Sequence, residues 1–508
     1  MKSLKYIKYS LLAAAISISS CADLDVVNPN DPSASSINSE TLRDLASGAL
    51  YNVFNGYTSN PESGNVFNAN VHLAWTADHT ASTNNYRSMW SQFKVEDRVQ
   101  FNNSLTFPDL EIISDPWQNW HGAIGTANVV ISQLQNAEDD ASKEALALAY
   151  MAKGLALGHL AGTFDQAYLV PVDADVTSLD PKEMLAPYHD ILAEALLNLD
   201  AVIDLVDNGL TFVTDSKTLN GISYNQDQFA RLANSYAAHF ALTTARNRTQ
   251  ASQTDYSLVK NYAEKGIQQD FILQNEGIFY LHDFQFLNGL FWYFRIDHRV
   301  LRHFNPNYPK RFSLDATASI PEADLKGAGY NGDKRLDAYF EYSADLSFFN
   351  LSRGPQLRTH YFYPRNRDLY DNNGVGPAYY MYKVNNDLML AEAELRLGNK
   401  TAALAILNDP TYPRKAIGEM PDIDVGISDA ELLELIFAER DIELARTVFG
   451  LEHFDMRRQD KLQIGSILHF PVPADELTTI GLPIYTYGGV ANADGENTAD
   501  GSNSWLNN

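Results

Sequence analysis

The sequence predicts a mainly α-helical fold, a TPR-like scaffold of helical hairpins carrying one long, irregular, aromatic-rich insertion. Three observations lead there. Apolar residues recur at three- and four-residue steps in one segment after another. Between Phe279 and Tyr382 that rhythm gives way to 24 aromatic residues in 104 positions, interspersed with Gly, Pro, Asn and Asp. The composition of the 508 residues, 45% hydrophobic and 20% charged, is that of a folded chain with ample material for a core. A formal charge of −26 makes the surface repel phosphate backbones, which argues against a nucleic-acid partner.

The elements follow in order. Lys2, Lys5 and Lys8 precede a short apolar run, Leu11 to Ile18, too brief to span a bilayer as a mature helix and read as an export signal over residues 1–20. It ends in Ile18-Ser19-Ser20-Cys21, which resembles a bacterial lipobox. Cys21 is the only cysteine, so it has no disulfide partner within the chain and is expected to carry acyl chains. Residues 21–39, rich in Asn, Asp, Pro and Ser, form the expected lipidated tether, and a single body spans residues 40–508.

In the body, Trp117 to Gln135 and Ser142 to Leu160 read as a helical hairpin, the Gly and Ala residues of the second helix letting a neighbour approach closely. Helices are also expected over Met184 to Val206, Gln228 to Arg246, Tyr256 to Gln269, Tyr382 to Leu397, Lys400 to Leu407 and Asp429 to Phe449. Gly398-Asn399 supplies a tight turn between two of them. The spacing fits no strict 34-residue period, so any repeats are divergent. The insertion, about 279–381, is expected to form loops and short strands on the scaffold, most of its rings filling a core. The acidic stretch Asp494 to Asp500 lacks the ligand spacing of an EF-hand and is expected to be a flexible tail.

Several motifs together resemble the SusD/RagB family of outer-membrane lipoproteins. They are Leu432 to Leu444 with its Glu439-Arg440 and Glu443-Leu444 pairs, Asp455 with Arg458, Phe470-Pro471-Val472-Pro473 ahead of Glu476-Leu477, and Leu390-Ala391-Glu392-Ala393 ahead of Gly398 and Leu407-Asn408. Asp23 and Asp25 after the lipobox resemble the acidic signals that send Bacteroidetes lipoproteins to the outer face of the outer membrane. The departures are Phe449 before Gly450, Glu452 where a basic residue is common, and Asp409-Pro410 after Asn408. Glu439, Glu443, Arg440 and Arg446 also read simply as helix-stabilising charges. The resemblance implies a lipid-anchored nutrient-binding protein on the outer membrane, facing the cell exterior. Such a protein captures an oligo- or polysaccharide and delivers it to a partner TonB-dependent, SusC-like transporter.

The chemistry legible in the residues is that of binding. No phosphate-cradling GxxxxGK, dinucleotide GxGxxG, zinc-binding HExxH or GxSxG nucleophile elbow is present, the histidines are scattered, and neither a cofactor nor a metal site is expected. A sugar binder needs flat rings that stack on apolar sugar faces, with planar amides and guanidinium groups beside them. Two segments supply these: Asn84, Asn85, Tyr86, Arg87 and Trp90, and the Trp292, Tyr293 and Arg295 group inside the insertion. Two other classes stay open on the residues alone, a scaffold lipoprotein that binds peptides or proteins and a surface glycan hydrolase whose carboxylates meet only in space.

Overall fold

A computed structural model describes residues 39–56, 69–82, 98–175, 178–277, 281–282, 285, 294–310, 322–345 and 359–507. Cys21 lies outside them. The chain divides into a short N-terminal unit ending at Leu42 and a large unit from Arg43 onward, which holds everything below apart from residues 39–42.

After helix α1 (Ser39–Asn55) and the buried helix α2 (Ala69–Thr76) come the predicted hairpin helices, α3 (Glu111–Leu134) and α4 (Asp140–Thr163). Next are α5 (Tyr188–Asp207), α6 (Gln226–Thr243) and α7 (Tyr256–Glu264). Each of α3 to α7 packs on the next. Helix α4 is long and apolar enough to cross a membrane, yet almost all of that stretch is buried, so it serves as the central core helix. Its glycines set the packing distance, as expected. A Cβ on Gly154 would lie 2.8 Å from the Leu199 side chain of α5, and one on Gly158 would lie 2.2 Å from the Phe240 ring of α6.

Side chains define the helix ends. Asp139 accepts the Ser142 N–H at the start of α4, and Asn225 and Gln228 form a reciprocal capping box on α6. At the C-terminus of α4, two buried guanidinium groups take the carbonyls that the helix leaves unpaired. Arg246 donates to the carbonyls of Ala161 (2.6 Å) and Phe164 (2.9 Å), and Arg457 to that of Gly162 (2.7 Å).

Several boundaries differ from expectation. Helix α5 begins only after Pro187, because Pro181–Met184 is a 3-10 turn and Leu185–Pro187 a short strand, β3, paired antiparallel with β2 (Gln166–Tyr168). Helix α7 stops at Glu264, and the chain soon enters strand β4 (Phe271–Glu276). The region expected as one helix over Asp429 to Phe449 is broken, because Arg446 (φ 63°) and Gly450 (φ 68°) adopt left-handed backbone conformations.

Strand β4 pairs antiparallel with β8 (Val375–Met381), Glu276 opposite Val375, so one ribbon clamps both ends of the insertion. Within the insertion are β5 (Phe294–Ile296), β6 (Glu341–Tyr342) and β7 (Tyr361–Phe362), the last two paired together. Its described rings are buried or half-buried. Phe304, Tyr308, Tyr339, Phe340, Tyr361 and Tyr363 form a core with Val300 and Leu336, reaching Ile442 and Ala445.

After the short helix α8 (His298–Leu301), the scaffold resumes with α9 (Lys383–Arg396), α10 (Lys400–Leu407), α11 (Asp429–Glu443) and α12 (Leu451–Arg457). The family-like motifs converge here. Arg440 Nη1 donates to Glu392 Oε2 (2.6 Å), Arg458 Nη1 and Nη2 donate to both oxygens of Glu392 (2.7 Å each), and Arg458 Nε donates to Asp455 Oδ1 (2.8 Å). Arg335, from the insertion, donates to Glu439 (2.6 Å) and Glu443 (2.8 Å). These charges therefore tie α9, α11, α12 and the insertion together across the core instead of stabilising one helix along its length.

The C-terminal segment corrects the expectation of a flexible tail. The Ala499 N–H donates to the Ser466 carbonyl (2.7 Å), and the Asp494 carboxylate accepts from the backbone of Asn497 and Thr498.

Candidate functional site

Helix α11 presents two faces. Leu432, Ile436, Glu439 and Glu443 lie on the buried side, while Glu434, Phe437 and Asp441, at three- and four-residue steps, line a cleft on the other. The cleft holds about 300 Å³. Its second wall is Arg299, Arg302 and His303 around the end of α8, its third is Asp455, Met456, Gln459 and Lys461 at and after the end of α12, and its fourth is Asn503 and Trp505 of the C-terminal segment.

Asp441 is the electrostatic centre. Arg299 grips it with both terminal nitrogens, Nη2 to Oδ1 at 3.0 Å, and His303 Nε2 lies 2.7 Å from Oδ2. Burial alone would raise the Asp441 pKa, but the Arg299 charge and the His303 contact outweigh it and hold the carboxyl well below the usual range. Lys461 pairs with Glu434, and Asp455 with Arg458. Arg302 differs from its neighbours. Its Nη1 donates to the Tyr308 carbonyl, and among the described residues no carboxylate pairs with it.

Trp505 is a positioned ring. Its indole N–H donates to Asp78 Oδ2 (2.9 Å), a carboxylate also held by Arg98 (2.7 Å) and Gln463 (2.6 Å). The ring packs on Ala77, Met456, Leu462, Leu468 and Ala499 and stays only partly buried, leaving area toward the cleft. Amides stand beside it: Asn503 Nδ2 donates to the Gln459 carbonyl (3.0 Å), and the Gln459 amide to that of Asp455 (2.9 Å). A smaller hollow of about 130 Å³ beside Gln228, Arg231 and Gln268 also offers amides, but its only ring, Tyr224, is buried.

Of the sequence-predicted ligand contacts, Asn84, Asn85, Tyr86, Arg87, Trp90, Trp292 and Tyr293 lie outside the described residues. Strand β1 (Thr80–Ser82) pairs antiparallel with β5, Ser82 opposite Phe294. The base of that ribbon adjoins the cleft, since Arg299 Nε donates to the carbonyls of Ala77 (3.0 Å) and Asp78 (3.2 Å). Arg295 is a correction. It is only 1% exposed and its guanidinium donates to the carbonyls of His360 (2.9 Å) and Asp345 (3.3 Å), so it braces the insertion from inside. The sequence reading missed Arg302, His303, Asn503 and Trp505. The available signals were the Glu434/Phe437/Asp441 stripe and a tryptophan in a polar C-terminal segment.

Fold and cleft together define a helical-repeat scaffold with a polar cleft walled in part by aromatic rings. The same fold occurs in solved structures. A SusD superfamily protein from Parabacteroides distasonis superposes with a TM-score of 0.61 at 14% identity, over 88% of this chain and 98% of the other. A SusD homologue from Bacteroides thetaiotaomicron gives 0.56 at 15% identity, covering 87% and 96%. A SusD-like carbohydrate-binding protein from Bacteroides fragilis gives 0.56 at 15% identity, covering 82% and 86%. No protein-family model and no curated protein matches the sequence. The chain has the SusD-like fold.

Proposed function

We propose that this chain is a glycan-binding lipoprotein of the outer-membrane surface, anchored through an acylated Cys21, that passes its ligand to a TonB-dependent, SusC-like transporter. The observation that carries the reading is the cleft: a positioned Trp505 ring beside the Asn503 and Gln459 amides and the Arg302 guanidinium, the groups that recognise a pyranose face and its hydroxyls. The SusD-like fold supports it, since one protein that shares the fold is described as carbohydrate-binding. Asn84, Asn85, Tyr86, Arg87 and Trp90, with Trp292 and Tyr293, remain proposed ligand contacts on their residue chemistry alone and lie outside the described residues. A hydrolytic reading is less well supported. A glycosidase acid needs a raised pKa, whereas Asp441, the carboxyl at the centre of the cleft, is held ionised.

Calorimetric titration of a polysaccharide panel, with an assay for released reducing ends, tests binding without turnover. Cys21→Ser, expressed with its own signal, should move the protein from the membrane to the soluble fraction, and mild-detergent purification from native membranes should recover a large β-barrel partner. Membrane retention of the variant rejects the anchor, and recovery of this chain alone rejects the transporter partnership.

A further inference from the structure

We propose that the cleft is built for an anionic sugar, one bearing a carboxylate or a sulfate ester, and that Arg302 is the group that pairs with it. The inference deepens the glycan-binding reading and rests on it. It starts from the distribution of charge around the cavity. Each carboxylate of the cleft is already matched: Asp441 by Arg299 and His303, Glu434 by Lys461, and Asp455 by Arg458 and, at 3.6 Å, by Arg440. The cations are not all matched. Arg302, half-buried against the same cavity, has only the neutral Tyr308 carbonyl as a hydrogen-bond acceptor among the described residues.

In a chain of net charge −26, Arg302 is a cation that faces a cavity with no carboxylate partner among the described residues, against the sign of the chain as a whole. A guanidinium partly withdrawn from water without a counter-ion is less well solvated than a free one, and burial depresses the Arg302 pKa accordingly. Its remaining N–H groups fit the planar oxygens of a carboxylate or the tripod of a sulfate. Trp505, held by Asp78, supplies a sugar-sized apolar face in the same cavity. The pairing of a preset ring with an unmatched cation favours a charged sugar over a peptide terminus, which would need the cation but not the ring.

The test uses the full-length chain and matched ligand pairs that differ only in charge. Polygalacturonate is compared with its fully methyl-esterified form, chondroitin sulfate with its desulfated form, and short peptides with free C-termini with their amides, alongside a panel of neutral polysaccharides. The expected result is that an anionic member binds at least tenfold more tightly than its neutral counterpart, with affinity falling as salt is raised. The pectin and chondroitin pairs separate carboxylate from sulfate. In Arg302→Gln the preference should shrink about tenfold, the anionic ligands losing more affinity than their neutral counterparts, and Arg302→Lys should restore part of it. Neutral polysaccharides bound as tightly as anionic ones overturn the inference and leave glycan binding standing. Retention of peptides only, or of no panel member, overturns both. Should Arg302→Gln fail to fold, an affinity of the parent that is independent of salt is equally contradictory.

Discussion

The two faces of helix α11 use the same residue types to opposite ends. On the core side, Glu439, Arg440 and Glu443 join Arg335, Glu392 and Arg458 in a network with matched charges, well-formed hydrogen bonds and almost no solvent access. On the cleft side, Glu434, Phe437 and Asp441 face a cavity in which Arg302 has no carboxylate partner among the described residues. A buried ion pair of the first kind fixes how elements meet and has nothing left over for a ligand. The second kind is incomplete by itself, and that incompleteness is what a binding site requires.

The largest expected effect lies on the core side. Arg458→Ala removes the guanidinium that grips both Glu392 oxygens, leaving Arg440 and, at 3.7 Å, Arg396, and should cost about 3–5 kcal/mol of stability, read from urea unfolding, with a matching loss of soluble protein. A variant as stable as the parent would break the distinction between the faces. The network also sets an acid limit. Burial opposes ionisation of Glu392, but Arg458 and Arg440 hold its pKa below the ordinary glutamate value. Its stabilisation is therefore present above the unfolded-state pKa of about 4.3 and is lost as pH falls further.

Glu452 sharpens the comparison because it is buried without such matching. Its Oε1 accepts the Arg446 N–H (2.8 Å), its Oε2 has no partner among the described residues, and burial pushes its pKa up to about 7. The folded state keeps the proton while the unfolded state has lost it, so this group's contribution falls as pH rises from about 4.5 to 7 and then levels. Glu452→Gln should remove that decline, leaving the variant roughly 2–4 kcal/mol more stable than the parent at pH 8 and little changed at pH 4. Identical slopes for parent and variant would assign the proton elsewhere.

Effects on the cleft side should be smaller for the fold and visible in binding. Trp505→Ala should lose about 1–3 kcal/mol of glycan affinity, with a drop in melting temperature of only a few degrees. Smallest of all is Lys461→Ala. Its partner Glu434 is 61% exposed, so the pair should contribute under about 1 kcal/mol to stability.

Much of the scaffold was legible in the sequence because packing imposes a period. Helices α3, α4, α9 and α10 fall where apolar spacing and the Gly398 turn put them, and the insertion begins and ends near the β4–β8 ribbon. The helix break after Glu443 was not legible, since it depends on left-handed backbone at Arg446 and Gly450 that periodicity does not register. The motif charges were visible but not their partners, because Glu392, Arg440 and Arg458 meet only across three helices. Nor was the cleft, whose walls come from residues around 300, 440, 458 and 504. Arg295, chosen for its neighbours in sequence, proved to be inside, while Trp505, which the sequence reading passed over, is the ring held at the cavity.

The central claim is that ligand is held on the cleft face of α11 while the motif face holds the fold. Calorimetric titration of a bound polysaccharide against the parent and Trp505→Ala, each with its own melting curve, tests it most directly. The account predicts a ten- to hundredfold loss of affinity in a variant that still melts within a few degrees of the parent. Unchanged affinity per folded molecule, with or without a lowered melting temperature, would contradict it and place the glycan elsewhere on the chain.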